Sequence, residues 1–71
     1  MPFMERDAFI SIIIPAYNEQ DTIGRTIAEV GKLNLNKEII VVDDGSRDNT
    51  VAIVKKLDNV KLVEHKVNKG R

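Results

Sequence analysis

The chain has 71 residues, 42% of them apolar, with 11 Lys+Arg balancing 11 Asp+Glu. That is a globular composition with room for one domain at most, and the even charge gives no basic excess to suggest a nucleic-acid partner. Cysteine is absent and histidine occurs once, which excludes disulfides, thiolate zinc sites, cysteine nucleophiles and multi-histidine metal sites. The opening residues MPFMERDA are mixed and charged, without an apolar stretch suited to a targeting segment.

Residues 9–14, FISIII, form a β-branched run that reads as a strand buried on both faces, in parallel-sheet style. Pro15 cannot donate to a ladder, so the strand is expected to stop there. A polar turn over Ala16 to Asp21 leads into a helix with Ile23, Ile27 and Val30 on one face. Asn18 or Asp21 is the expected cap. Gly31 ends this helix, and Leu33 and Leu35 are expected to pack underneath.

The run EIIVV, residues 38–42, is the second strand and empties into the acidic turn DDGSRD, residues 43–48. A second helix begins near Asp48, a good N-cap, with Val51, Val54 and Leu57 on one face and Lys55 and Lys56 toward water. Thr50 is read as a capping residue beside Asp48. Residues 60–64, VKLVE, alternate and read as a third strand with one wetter face, at a sheet edge. Asn68 stands where it would cap a third helix.

Both crossovers exceed the dozen or so residues that a parallel connection needs. Right-handed crossovers then give an α/β fold, β-α-β-α-β, with parallel strands ordered 3-2-1. This is half of a doubly wound, Rossmann-like nucleotide-binding unit. Its most apolar strand sits at an edge, which is a liability in a complete protein. An unstapled core of this size rarely supplies more than about 3–5 kcal/mol. The expectation is a partial domain over residues 1–71, with a further strand normally pairing with the first.

Ligands of open α/β sheets bind outside the carboxyl ends of the strands, where strand order reverses. Two clusters converge there: Pro15-Ala16-Tyr17-Asn18-Glu19 and Asp43-Asp44-Gly45-Ser46. Tyr17 offers a flat π-face to a nucleobase. Asp44 offers a carboxylate to a base N–H, a charge-assisted bond. Glu19 or Asp43 suits ribose hydroxyls, and Gly45 lets the backbone turn tightly. Plainer roles stand beside these: Tyr17 covering the sheet edge, Asp43 and Asp44 forming the turn, Asn18 capping a helix, His65 sitting at a strand edge.

Other acidic motifs fit poorly. No G-x-G-x-x-G follows the first strand, so there is no dinucleotide pyrophosphate cradle. A calcium loop counted from Asp44 meets Lys55 at its twelfth position, where Glu is required. A phosphate-receiver domain needs an acceptor Asp after the next strand, and VKLVEH has none. Asp43 and Asp44 are contiguous, unlike the D-x-D nucleophile motif of haloacid dehalogenases.

SIIIPAYNE, EIIVVDDGSRDNT and VNKGR, in that order, resemble the start of a family 2 glycosyltransferase over residues 10–71. More loosely, the chain is similar to polyprenyl-phosphate sugar synthases such as dolichol-phosphate mannosyltransferase. The resemblance implies a glycosyltransferase-A fold and transfer of a sugar from a nucleotide-diphosphate donor to an acceptor lipid or growing glycan. It implies that Pro15, Tyr17 and Glu19 line the nucleoside pocket, that Asp44 recognises the base with Asp43 beside it, and that Gly70 and Arg71 lie close to the donor.

The resemblance also implies a divalent metal, magnesium or manganese, whose D-x-D ligands fall beyond Arg71 together with the catalytic base. No catalytic residue and no metal ligand is therefore assigned within the 71 residues, which alone are expected to be inactive. The expected location is cytoplasmic, or the cytoplasmic face of a membrane reached through missing regions. The alternatives are a non-catalytic nucleotide-binding module and a small α/β interaction domain.

Overall fold

The computed structural model describes residues 8–65. Five elements follow one another: β1 (Ile10–Ala16), α1 (Ile23–Gly31), β2 (Lys37–Asp43), α2 (Thr50–Lys55) and β3 (Val60–Glu64). The three strands form one parallel sheet in the order β1-β2-β3, which is the expected 3-2-1 order read from the other end. The register sets Ile12 beside Ile39 and Val60, Ile14 beside Val41 and Leu62, and Ala16 beside Asp43 and Glu64.

These paired rows define the core. Ile14, Ala16, Ile39 and Val41 pack with Ile23 and Ile27 of α1 and Val54 of α2. Ile12, Val30, Ile53, Leu57, Val60 and Leu62 complete the cluster at its margin. Each fully buried aliphatic side chain contributes roughly 1.5–3 kcal/mol, so residues such as Ile23, Val41 and Val54 anchor the helices to the sheet.

Four expectations need correction. β1 is buried on one face only: Ile12, Ile14 and Ala16 point inward, whereas Ile13 is 54% exposed. Two crossovers of the same hand, leading in one direction across the sheet, set both helices on the same side. Ile13, Ile40, Val42 and Val63 are left on the other side.

β1 also runs through Pro15 rather than stopping before it. The Ile10 N–H donates to the Asn36 carbonyl, and the Ala16 carbonyl accepts from the Asp44 N–H. The even-numbered residues of β1 therefore face β2 with their backbone groups. Pro15 faces the open edge, where its missing N–H costs no ladder bond.

Neither Asn18 nor Asp21 caps α1. The residue at the cap is Thr22, without a side-chain cap bond, and the Glu19 carbonyl accepts from the Thr22 and Ile23 N–H groups instead. Leu33 and Leu35 do not pack underneath; each is 48% exposed. The Lys37 ammonium donates to the Gly31 and Leu33 carbonyls at 3.2 and 2.8 Å, which fixes the backbone of this connection.

On the open face, Ser11 donates to Glu38 at 2.5 Å and Lys61 pairs with Glu38 at 3.2 Å. The Ser11 hydroxyl, and after it the Lys61 ammonium, hold the Glu38 carboxyl below its ordinary range. Among the described residues no helix is long and apolar enough to cross a membrane.

Candidate nucleotide site at the strand ends

β1 and β2 end together at Ala16 and Asp43, so the residues that follow them emerge side by side. The Asp44 N–H donates to the Ala16 carbonyl at 2.9 Å, extending the ladder by one bond beyond the strands. The two loops then part and are stitched together again by side chains.

Asp43 is 2% exposed and turns its carboxylate back into its own loop. Oδ2 accepts from the Gly45 and Ser46 N–H groups at 3.2 and 2.9 Å, and Oδ1 accepts from the Ser46 hydroxyl at 2.5 Å. Gly45 has φ 82°, a left-handed conformation that glycine adopts without the penalty a Cβ brings. The same Ser46 hydroxyl oxygen accepts from the Asn18 N–H at 2.7 Å, and Asn18 Oδ1 accepts from the Arg47 N–H at 2.8 Å. Asn18 has φ 51°; Asn is among the few residues that tolerate this region.

A second seam lies nearer the helices. The Glu19 N–H donates to Thr50 Oγ1 at 2.8 Å, the Gln20 N–H to Asp48 Oδ2 at 3.1 Å, and the Asn49 N–H to Gln20 Oε1 at 3.0 Å. Asn49 occupies the cap position of α2, but the capping acceptor is the expected Asp48, whose Oδ1 accepts from the Thr50 N–H and hydroxyl. Partial desolvation of Asp48 raises its pKa. The hydrogen bonds from Thr50 and Gln20 outweigh that effect and hold the carboxyl below its ordinary range. The sequence pointed to the cap at Asp48, but gave no sign that Asp48 also binds the loop after β1.

Between the loops lies an open cleft of about 290 Å³ lined by Pro15, Ala16, Tyr17, Glu19 and Asp44. That is at the lower edge of the roughly 300–1,000 Å³ of ligand pockets, a size for part of a ligand. Tyr17 is 52% exposed and lines the cleft rather than packing in the core. The Asp44 side chain is 62% exposed and reaches His65, whose Nδ1 lies 3.1 Å from Asp44 Oδ1. Glu19 lines the cleft while its Oε1 accepts from the Thr22 hydroxyl at 3.1 Å.

The structure thus brings Pro15, Tyr17, Glu19 and Asp44 to one cleft and turns Asp43 away from it. Gly70 and Arg71, and the expected cap Asn68, lie outside the described residues. His65 does not line the cleft but contacts Asp44, which does, although its sequence position marks it only as a strand-end residue. The signal was in the register: with Asp43 paired to Glu64, the next residues on β2 and β3 are Asp44 and His65.

The oxygens of Asp43 are engaged by its own loop, and one oxygen of the Asp44 carboxylate is engaged by His65. Among the described residues no group of three or more His, Asp or Glu side chains is placed to hold an ion.

Residues 11–71 match the family described as Glycosyl transferase family 2, and the chain belongs to that family. It is 41% identical over 66 residues to the poly-beta-1,6-N-acetyl-D-glucosamine synthase of Staphylococcus epidermidis, a match covering 87% of this chain and 16% of that protein. It is 46% identical over 52 residues to the UDP-N-acetylglucosamine–dolichyl-phosphate N-acetylglucosaminyltransferase of Methanococcus voltae, covering 73% of this chain and 20% of the relative. The undecaprenyl-phosphate 4-deoxy-4-formamido-L-arabinose transferase of Shewanella sediminis is 40% identical over 50 residues, with coverages of 65% and 15%. The chain therefore spans about a fifth or less of the length of these three relatives.

Proposed function

We propose that these residues form the nucleoside half-site of a glycosyltransferase that moves a sugar from a nucleotide-diphosphate donor to an acceptor, either a polyprenyl phosphate or a growing glycan. The observation that carries this reading is the division of labour between two adjacent acids. Asp43 is consumed in building the loop, whereas Asp44 faces the cleft beside Tyr17 with a carboxylate exposed to a ligand. Tyr17 stacks on the base, Asp44 accepts its ring N–H, and Glu19 accepts from a ribose hydroxyl. A carboxylate acceptor favours bases that present a ring N–H, such as uracil and guanine, over adenine.

Gly70 and Arg71 are assigned to the donor beyond the nucleoside. The divalent metal and the catalytic base are assigned to residues outside this chain, and the 71 residues to the nucleoside-binding part of a longer enzyme. Two of the relatives are named for undecaprenyl and dolichyl phosphate, which supports a lipid-phosphate acceptor and hence a reaction at a membrane surface; the cytoplasmic face is the side assigned to it. No observation favours the non-catalytic or interaction-domain readings.

The test is calorimetric titration of the full-length protein with UDP, GDP and ADP. UDP or GDP is expected to bind more tightly than ADP. Removing one partner of a charge-assisted hydrogen bond costs roughly 1.5–3 kcal/mol, so Asp44→Asn is expected to weaken the preferred nucleotide about tenfold to a hundredfold. Binding of neither UDP nor GDP, or an unchanged Asp44→Asn, refutes the reading.

A further inference from the structure

We propose that His65 is a positioning residue for base recognition, acting through the Asp44 carboxylate; the proposal rests on the assignment of Asp44 to the base. β2 and β3 stop in register at Asp43 and Glu64, and both following residues are pinned by backbone bonds. The Asp44 N–H donates to the Ala16 carbonyl at 2.9 Å, and the His65 N–H donates to the Asp43 carbonyl at 2.7 Å. The two side chains therefore leave fixed points on neighbouring strand ends and meet with His65 Nδ1 3.1 Å from Asp44 Oδ1.

His65 does not line the cleft, whereas Asp44 does. Donation from Nδ1 to Oδ1 occupies one carboxylate oxygen and sets the plane of the group, leaving Oδ2 for the base N–H. An exposed carboxylate without that contact has to be ordered when the ligand binds, and ordering a side chain subtracts from affinity. With side chains 68% and 62% exposed, water competes for the contact, so its effect is that of a surface pair rather than a buried one.

The full-length protein, its His65→Ala, His65→Asn and Asp44→Asn variants and the His65→Ala/Asp44→Asn double variant are titrated with UDP and GDP. His65→Ala is expected to weaken the preferred nucleotide about two- to fivefold. His65→Asn, whose amide nitrogen stands near the place of Nδ1, restores most of the loss. In the Asp44→Asn background, His65→Ala has no further effect, because residues that act through one another are not additive. Parental affinity in His65→Ala, failure of Asn to restore binding, or losses that simply multiply in the double variant overturn the proposal while leaving Asp44 as the base reader. Parental affinity in Asp44→Asn overturns the base site itself, and the proposal with it.

Discussion

Replacing Asp43 tests the division of labour between the two acids most directly. Asp43→Ala removes an acceptor serving three donors: the Gly45 N–H, the Ser46 N–H and the Ser46 hydroxyl. Gly45 is exposed, so water can replace its lost partner. Ser46 is half-buried, and its two donors lose about 1–1.5 kcal/mol each, the lower part of the range for an unsatisfied polar group. The expected loss is therefore about 2–3 kcal/mol, read as a lowered urea midpoint of the nucleotide-free protein. Asp43→Asn keeps an oxygen for the two N–H groups and offers an amide to the Ser46 oxygen, so it is expected to cost only about 1 kcal/mol. Because Ser46 also accepts from Asn18, the Ala variant should loosen the Tyr17 loop and weaken nucleotide binding as a consequence. An Asp43→Ala protein that unfolds like its parent yet loses nucleotide affinity would show that Asp43 touches the ligand, and the loop-building assignment would be wrong.

Other outcomes are open to measurement in the same protein. Gly45→Ala, at φ 82°, should lower stability by about 1–2 kcal/mol, measured as a shift in urea midpoint. Asn18→Gly, which keeps the left-handed backbone but deletes the acceptor for Arg47, should speed hydrogen exchange at the Arg47 amide, and unchanged protection would argue against the clamp. Ile23→Ala, at 2% exposure, should cost about 2–5 kcal/mol by opening a cavity between α1 and the sheet. The carboxyls of Glu38 and Asp48 are held below their ordinary range when folded. Their stabilisation is thus present above about pH 4 and lost as pH falls further. Melting temperature should drop on acidification through that range, less steeply in Asp48→Asn, and a rise would contradict the sign.

Period and punctuation in the sequence determined the element order and the parallel strand order, and pointed to the two loops that line the cleft. Short β-branched runs separated by crossovers long enough for helices leave few topologies, because handedness removes most of the rest. The same patterns could not tell one buried face from two. FISIII reads alike in both cases, and only the placement of both helices on one side left Ile13 exposed. Pro15 likewise reads as a terminator until the edge position of β1 shows that its nitrogen faces no partner. The DD pair marked the candidate site, but residue type does not distinguish its two members. Alternation along β2 sends Asp43 to the helix-covered face, and the first residue past the strand points Asp44 into the cleft. The contacts between Asn18 and Ser46, Gln20 and Asp48, and Asp44 and His65 join residues 21 to 28 positions apart. No local pattern encodes them; they arise from strand register, which a parallel sheet fixes only when its apolar rows are packed against the helices.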